Sequence, residues 1–130
     1  MEIEDIEDLI AKPKKDMDTY EPLFVQNTEF FSTYNPDMIE EAMLNYLRGT
    51  MIEPIVHDSK YKLKFQKTVK DEETGEVNIV HMCMRIFKVN QNKSCVEFTR
   101  LNGLEMYFYQ EFINYKDNVL GFANDTTLSE

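Results

Sequence analysis

One stretch limits what this chain can fold into: Cys95-Val96-Glu97-Phe98-Thr99-Arg100-Leu101-Asn102-Gly103, running directly into residues 104–120. Its first half alternates. Cys95, Glu97, Thr99 and Leu101 fall on one face of an extended strand, and Val96, Phe98 and Arg100 fall on the other. Asn102-Gly103 then interrupts the chain, because glycine accepts backbone angles that a side chain forbids. Beyond it, Leu104, Phe108, Phe112, Tyr115, Val119 and Phe122 recur at helical spacing. A strand therefore feeds an amphipathic helix through a single glycine. No catalytic group lies in this stretch, which favours a binding or regulatory module over an enzyme.

The segments upstream extend the same pattern. Asn35-Pro36 is a helix start, with Asn as cap and Pro at the first helical position. Met38, Ile39, Ala42, Met43, Tyr46 and Leu47 form its apolar stripe, with Asp37, Glu40, Glu41 and Arg48 opposite, and Gly49 is read as its end. Pro54 restricts any strand over residues 52–56 to a short or edge position. In residues 60–66, Tyr61, Leu63 and Phe65 point inward while Lys60, Lys62 and Lys64 point to water. Asp71-Glu72-Glu73-Thr74-Gly75 is a hairpin tip, and residues 77–89 form a long strand. Val80, Met82, Met84 and Ile86 share one face of that strand; His81, Cys83 and Arg85 share the other. Leu23-Phe24-Val25 and Phe30-Phe31 read as a lid over the core. The fold class is therefore α+β: two layers, an antiparallel sheet of about four strands, and two helices packed on one of its faces, leaving the other face wet. Residues 1–22 are expected as a mobile acidic tail, 23–123 as the domain, and 124–130 as a C-terminal tail.

Charge is unevenly distributed. The 130 residues carry a formal charge of −10. Residues 1–22 hold eight acids against three lysines, and residues 104–130 hold five acids against Lys116. Residues 60–100 reverse this, with nine bases against five acids. The total argues against nucleic acid as a partner, yet the middle of the chain can present a local basic surface. Lys60, Lys62, Lys64, Lys67, Arg85, Lys88 and Arg100 are its candidate residues. The acidic N-terminal segment is a candidate mask across that surface, with contacts that salt would weaken. Tyr107, Tyr109, Phe112, Tyr115 and Phe122 exceed what one buried stripe needs, so Tyr109, Phe112 and Tyr115 are candidate contacts on the last helix.

Enzyme signals are sparse. His57 and His81 lack ligands at metal-binding spacing, and no phosphate loop or dinucleotide fingerprint occurs. His81 and Cys83 share a strand face, which reads as two side chains on a half-exposed sheet. No catalytic residue, cofactor or metal is expected. Cys83 and Cys95 read as reduced thiols of an intracellular protein, cytoplasmic and/or nuclear.

Three segments together resemble a known family: Lys60-Tyr61-Lys62-Leu63-Lys64; Met82-Cys83-Met84-Arg85-Ile86-Phe87-Lys88-Val89; and Val96-Glu97-Phe98-Thr99-Arg100-Leu101-Asn102-Gly103 with Phe108 after it. The order helix, meander, helix is similar to that of the kinase-associated-1 domain, which ends several Ser/Thr kinases, among them the AMP-activated/sucrose-non-fermenting, microtubule-affinity-regulating and checkpoint kinases. The likeness runs over about residues 29–122. It implies a non-catalytic C-terminal regulatory domain that holds a kinase domain in check in cis or docks a partner protein. It also implies, as alternatives, a module for anionic phospholipid membranes or a free-standing protein-binding adaptor. Glu97 and the acidic total depart from the strongly basic, membrane-docking members, which favours protein contacts.

Overall fold

The structure, a computed structural model, describes residues 13–19 and 28–124. In chain order the elements are β1 (Asp18–Thr19), β2 (Glu29–Ser32), α1 (Pro36–Gly49), β3 (Ile55–Val56), β4 (Lys62–Lys70), β5 (Val77–Asn90), β6 (Lys93–Asn102) and α2 (Glu105–Asn114). A π-helical turn over Tyr115–Val119 and a 3-10 turn over Gly121–Ala123 follow.

Helix α1 forms where capping and apolar spacing agree. The Asn35 side chain accepts the Asp37 N–H at 2.8 Å, Pro36 needs no partner for its nitrogen, and Arg48 lies in the last turn. Ile39, Met43 and Leu47 are buried beneath it. Two expectations fail here. Met38 is half-exposed, whereas Glu40 is buried, because Lys15 neutralises its carboxylate at 3.0 Å. Gly49 is the last helical residue rather than the residue that ends the helix. Thr50 caps instead, its hydroxyl donating to the Tyr46 and Leu47 carbonyls, and Met51 takes the left-handed turn at φ 65°.

The sheet runs β2-β6-β5-β4-β3, every neighbour on that path antiparallel, and β1 pairs parallel with β5 outside it. It therefore has six strands rather than about four. One extra strand is β2. Phe30 and Phe31 were expected in a lid, but they extend the sheet, Phe30 opposite Val96 and Phe31 opposite Cys95. The other is β1. The described part of the segment expected as a mobile tail, residues 13–19, is laid against the sheet. The expectations for residues 1–12, for Leu23-Phe24-Val25 and for residues 125–130 lie outside the described residues.

Both helices cover one face, as the alternation requires. Leu63, Phe65, Val80, Met82, Met84, Ile86, Val96 and Phe98 meet α1 and α2 in one core. Tyr115 sits at its centre, within 6 Å of the rings of Tyr46, Phe65 and Phe98. Gly103 turns β6 into α2 at φ 100°; a Cβ there would meet the Ile79 carbonyl oxygen at 2.5 Å. The opposite face is not wet throughout. Cys83, Cys95 and Glu97 are buried on it, and Lys93 lies over the Phe31 ring at 4.7 Å.

Candidate interaction surface

On the outer face, strand alternation assembles a compact cationic group. Lys62 stands opposite Arg85 and Lys64 opposite Cys83, so Lys62, Lys64 and Arg85 are neighbours. Lys60 joins them from the loop before β4. The His57 ring shapes that loop, its Nδ1 accepting the N–H groups of Ser59 and Lys60 at 3.1 Å each. Among the described residues, Lys62, Lys64 and Arg85 form no ion pair, and the Arg85 Nε is buried without a hydrogen-bond partner.

Lys60 is engaged. Its Nζ donates to Asp18 Oδ1 at 2.9 Å. The hydrogen bond holds the Asp18 carboxyl below its ordinary range and the Lys60 ammonium above its own. Backbone contacts anchor the same segment: Asp16 N–H donates to the Ser59 carbonyl at 3.2 Å, and Asp18 and Thr19 pair with Phe87 and Lys88. Lys15 ties it to the helix layer, donating to both Glu40 oxygens and to the His57 carbonyl. The Tyr61 hydroxyl donates to Asp37 Oδ1 at 2.7 Å; burial, reinforced by that contact, pushes its ionisation well above the ordinary tyrosine range.

Three expected members of the basic face sit elsewhere. Lys67 alternates onto the helix side, where Glu111 is 3.9 Å away. Arg100, opposite Met82, is also on that side, and its Nη1 donates to the Gly103 carbonyl at 2.9 Å. Lys88 lies opposite Ser94 and lines a cleft of about 770 Å³ between residues 13–17, the start of α1 and the β5–β6 turn. The seven cations thus divide between the two faces, because odd and even positions of a strand point apart.

The last helix divides its three expected contacts. Phe112 and Tyr115 are core residues: Phe112 packs edge-on to Phe98, and Tyr115 is fully buried. Tyr109 is exposed, as are Met106 and Ile113. These three recur at i, i+3 and i+7, opposite the buried set Tyr107, Phe108 and Phe112. That second stripe is present in the sequence, but Met106 and Ile113 are not aromatic and a count of aromatics does not contain them.

Both cysteines are free thiols buried in the sheet. Cys95 Sγ donates to Glu29 Oε2 at 3.4 Å, and burial, followed by the Glu29 charge, pushes its thiol well above the ordinary range. Among the described residues, no hydrogen bond joins Cys83 to His81, and no group of three or more His, Cys, Asp or Glu side chains gathers to hold a metal ion. No described helix is long and apolar enough to cross a membrane. No family model matches the chain, and no curated protein matches it.

Proposed function

We propose that this chain is a non-catalytic regulatory module of a Ser/Thr protein kinase, of the kinase-associated-1 kind, acting by docking its outer sheet face on a kinase domain or another protein. The observation that carries the reading is the charge arrangement there. Lys62, Lys64 and Arg85 stand together and form no ion pair among the described residues, with Glu97 opposite Arg85 as the one carboxylate beside them on the sheet, while the adjoining Lys60 holds Asp18 of the chain's own acidic segment. A cationic group on a rigid sheet attracts an acidic protein surface, and its docking shifts a kinase only as far as it binds one state more tightly than another. The test has two stages. The transcript upstream of this chain should encode a Ser/Thr kinase domain. That kinase domain, titrated with the chain, should change in activity, and Lys62→Glu with Lys64→Glu should abolish the change. If the chain leaves kinase activity unaltered but sediments with phosphatidylserine vesicles at low salt, the membrane reading replaces this one.

A further inference from the structure

The end of β5 overhangs β4. β4 begins opposite Arg85, and the Ile86 N–H donates to the Tyr61 carbonyl, so the last four residues of β5 extend past β4. On that side, β1 covers only Phe87 and Lys88; Val89 and Asn90 have no described strand beside them. An uncovered strand edge is a template for another strand. The segment on the covered part shows what fits: it is extended, runs parallel to β5, and carries Asp16 and Asp18 towards Lys60.

We infer that this β5 edge is a strand-addition site for an extended acidic segment of a partner protein, held closed in cis by residues 13–19. The inference rests on the docking reading above and specifies its site. Backbone pairing to the outward-facing groups of β5 beyond the Ile86 N–H supplies affinity, and side-chain charge supplies selection. One feature favours a partner over the described part of the cis strand. A second carboxylate can meet the Arg85 guanidinium, whose Nε is buried and unpartnered among the described residues. The cleft beside the edge, bordered by Met17, Lys88 and Asn90, leaves room for the incoming side chains. The cis strand lowers apparent affinity by the fraction of time it occupies the edge, so weakening it favours the partner.

The probe is a fluorescein-labelled peptide carrying the chain's own residues 15–21, Lys-Asp-Met-Asp-Thr-Tyr-Glu, titrated into the full chain. Asp16→Lys with Asp18→Lys in the chain repels Lys60 and loosens the cis strand. This variant should bind the peptide about fivefold more tightly than the native chain does. Bound peptide should slow exchange of the outward-facing amides beyond Ile86, Lys88 first, and a peptide with both Asp replaced by Asn should bind both proteins more weakly. In the native chain alone, those amides should exchange faster in high salt, a readout that does not depend on the variant folding. Equal affinities, unchanged exchange on binding, or salt-independent exchange would overturn the inference. A kinase domain that binds without competing with the peptide would overturn it while leaving the docking reading intact. Peptide binding with no effect on any kinase would do the reverse.

Discussion

Tyr115 stacks on Phe98 with ring centroids 5.5 Å apart and planes inclined by 22°. This contact joins the end of the last helix to the strand that precedes it, across Gly103. The Tyr115 hydroxyl also donates to Glu111 Oε1 at 3.0 Å, and burial and that carboxylate push its ionisation far above the ordinary range. Tyr115→Ala should therefore destabilise the fold by about 3–5 kcal/mol in chemical denaturation. Tyr115→Phe removes one hydrogen bond and should cost about 1 kcal/mol. Tyr109→Ala and Ile113→Ala, on the exposed side, should each stay within about 0.5 kcal/mol of the native chain. A surface role for Tyr115 would instead leave the alanine variant as stable as the native protein.

Gly103 and Gly49 should respond oppositely to alanine. At Gly103, φ is 100°, and a Cβ would lie 2.5 Å from the Ile79 carbonyl oxygen and 2.8 Å from the Val80 Cα, both backbone atoms that cannot swing aside. Gly103→Ala should cost about 2–3 kcal/mol and lower the melting temperature by several degrees. At Gly49, nothing lies within 4 Å of the added carbon, and the residue is helical. Gly49→Ala should stabilise by about 0.5–1 kcal/mol. Thermal melts of the two variants make the comparison directly.

The contrast shows what the chain reveals before folding. The alternations from Lys60 to Leu101, the Asn35-Pro36 start and the Gly103 turn were legible because period and backbone chemistry are local. The sheet's extra strands were not. β2 is four residues long and pairs with β6, more than sixty positions away, and β1 is a two-residue bridge to β5. Nothing in such short runs announces a distant partner. The candidate basic face was half legible: strand parity already separates Lys67 from Lys64 and Lys88 from Arg85, yet charge counting grouped them. Glu40 was misplaced because its neutralising partner, Lys15, belongs to a segment read as a tail.

Acid should open the Asp18–Lys60 contact. The Asp18 carboxyl is held below its ordinary range chiefly by the Lys60 hydrogen bond. A carboxyl depressed by folding contributes its stabilisation above the unfolded-chain pKa and loses it as pH falls through the folded value. The contact therefore holds at neutral pH and releases below about pH 4. Both groups lie at the surface, so salt should shrink the shift. Titration of the Asp18 carboxyl carbon by NMR should give a midpoint below 3.8, and Lys60→Ala should return it to that ordinary value.

Thiol chemistry reports the buried outer face. Cys83 and Cys95 are both inaccessible, and the Cys95 thiol is disfavoured as a thiolate by burial and by Glu29. Ellman's reagent should label neither thiol in the native chain at neutral pH, and both in denaturant. Prompt labelling of Cys95 in the native chain would show that the outer face is open after all.

The proposed docking is most directly tested by the affinity of the kinase domain for the native chain as a function of salt, compared with Lys62→Glu plus Lys64→Glu. The account predicts an affinity that falls as ionic strength rises and a loss of at least tenfold in the variant at low salt. Binding that ignores both salt and the two substitutions would contradict it, and would point to the exposed Met106–Tyr109–Ile113 side of α2 as the surface that docks.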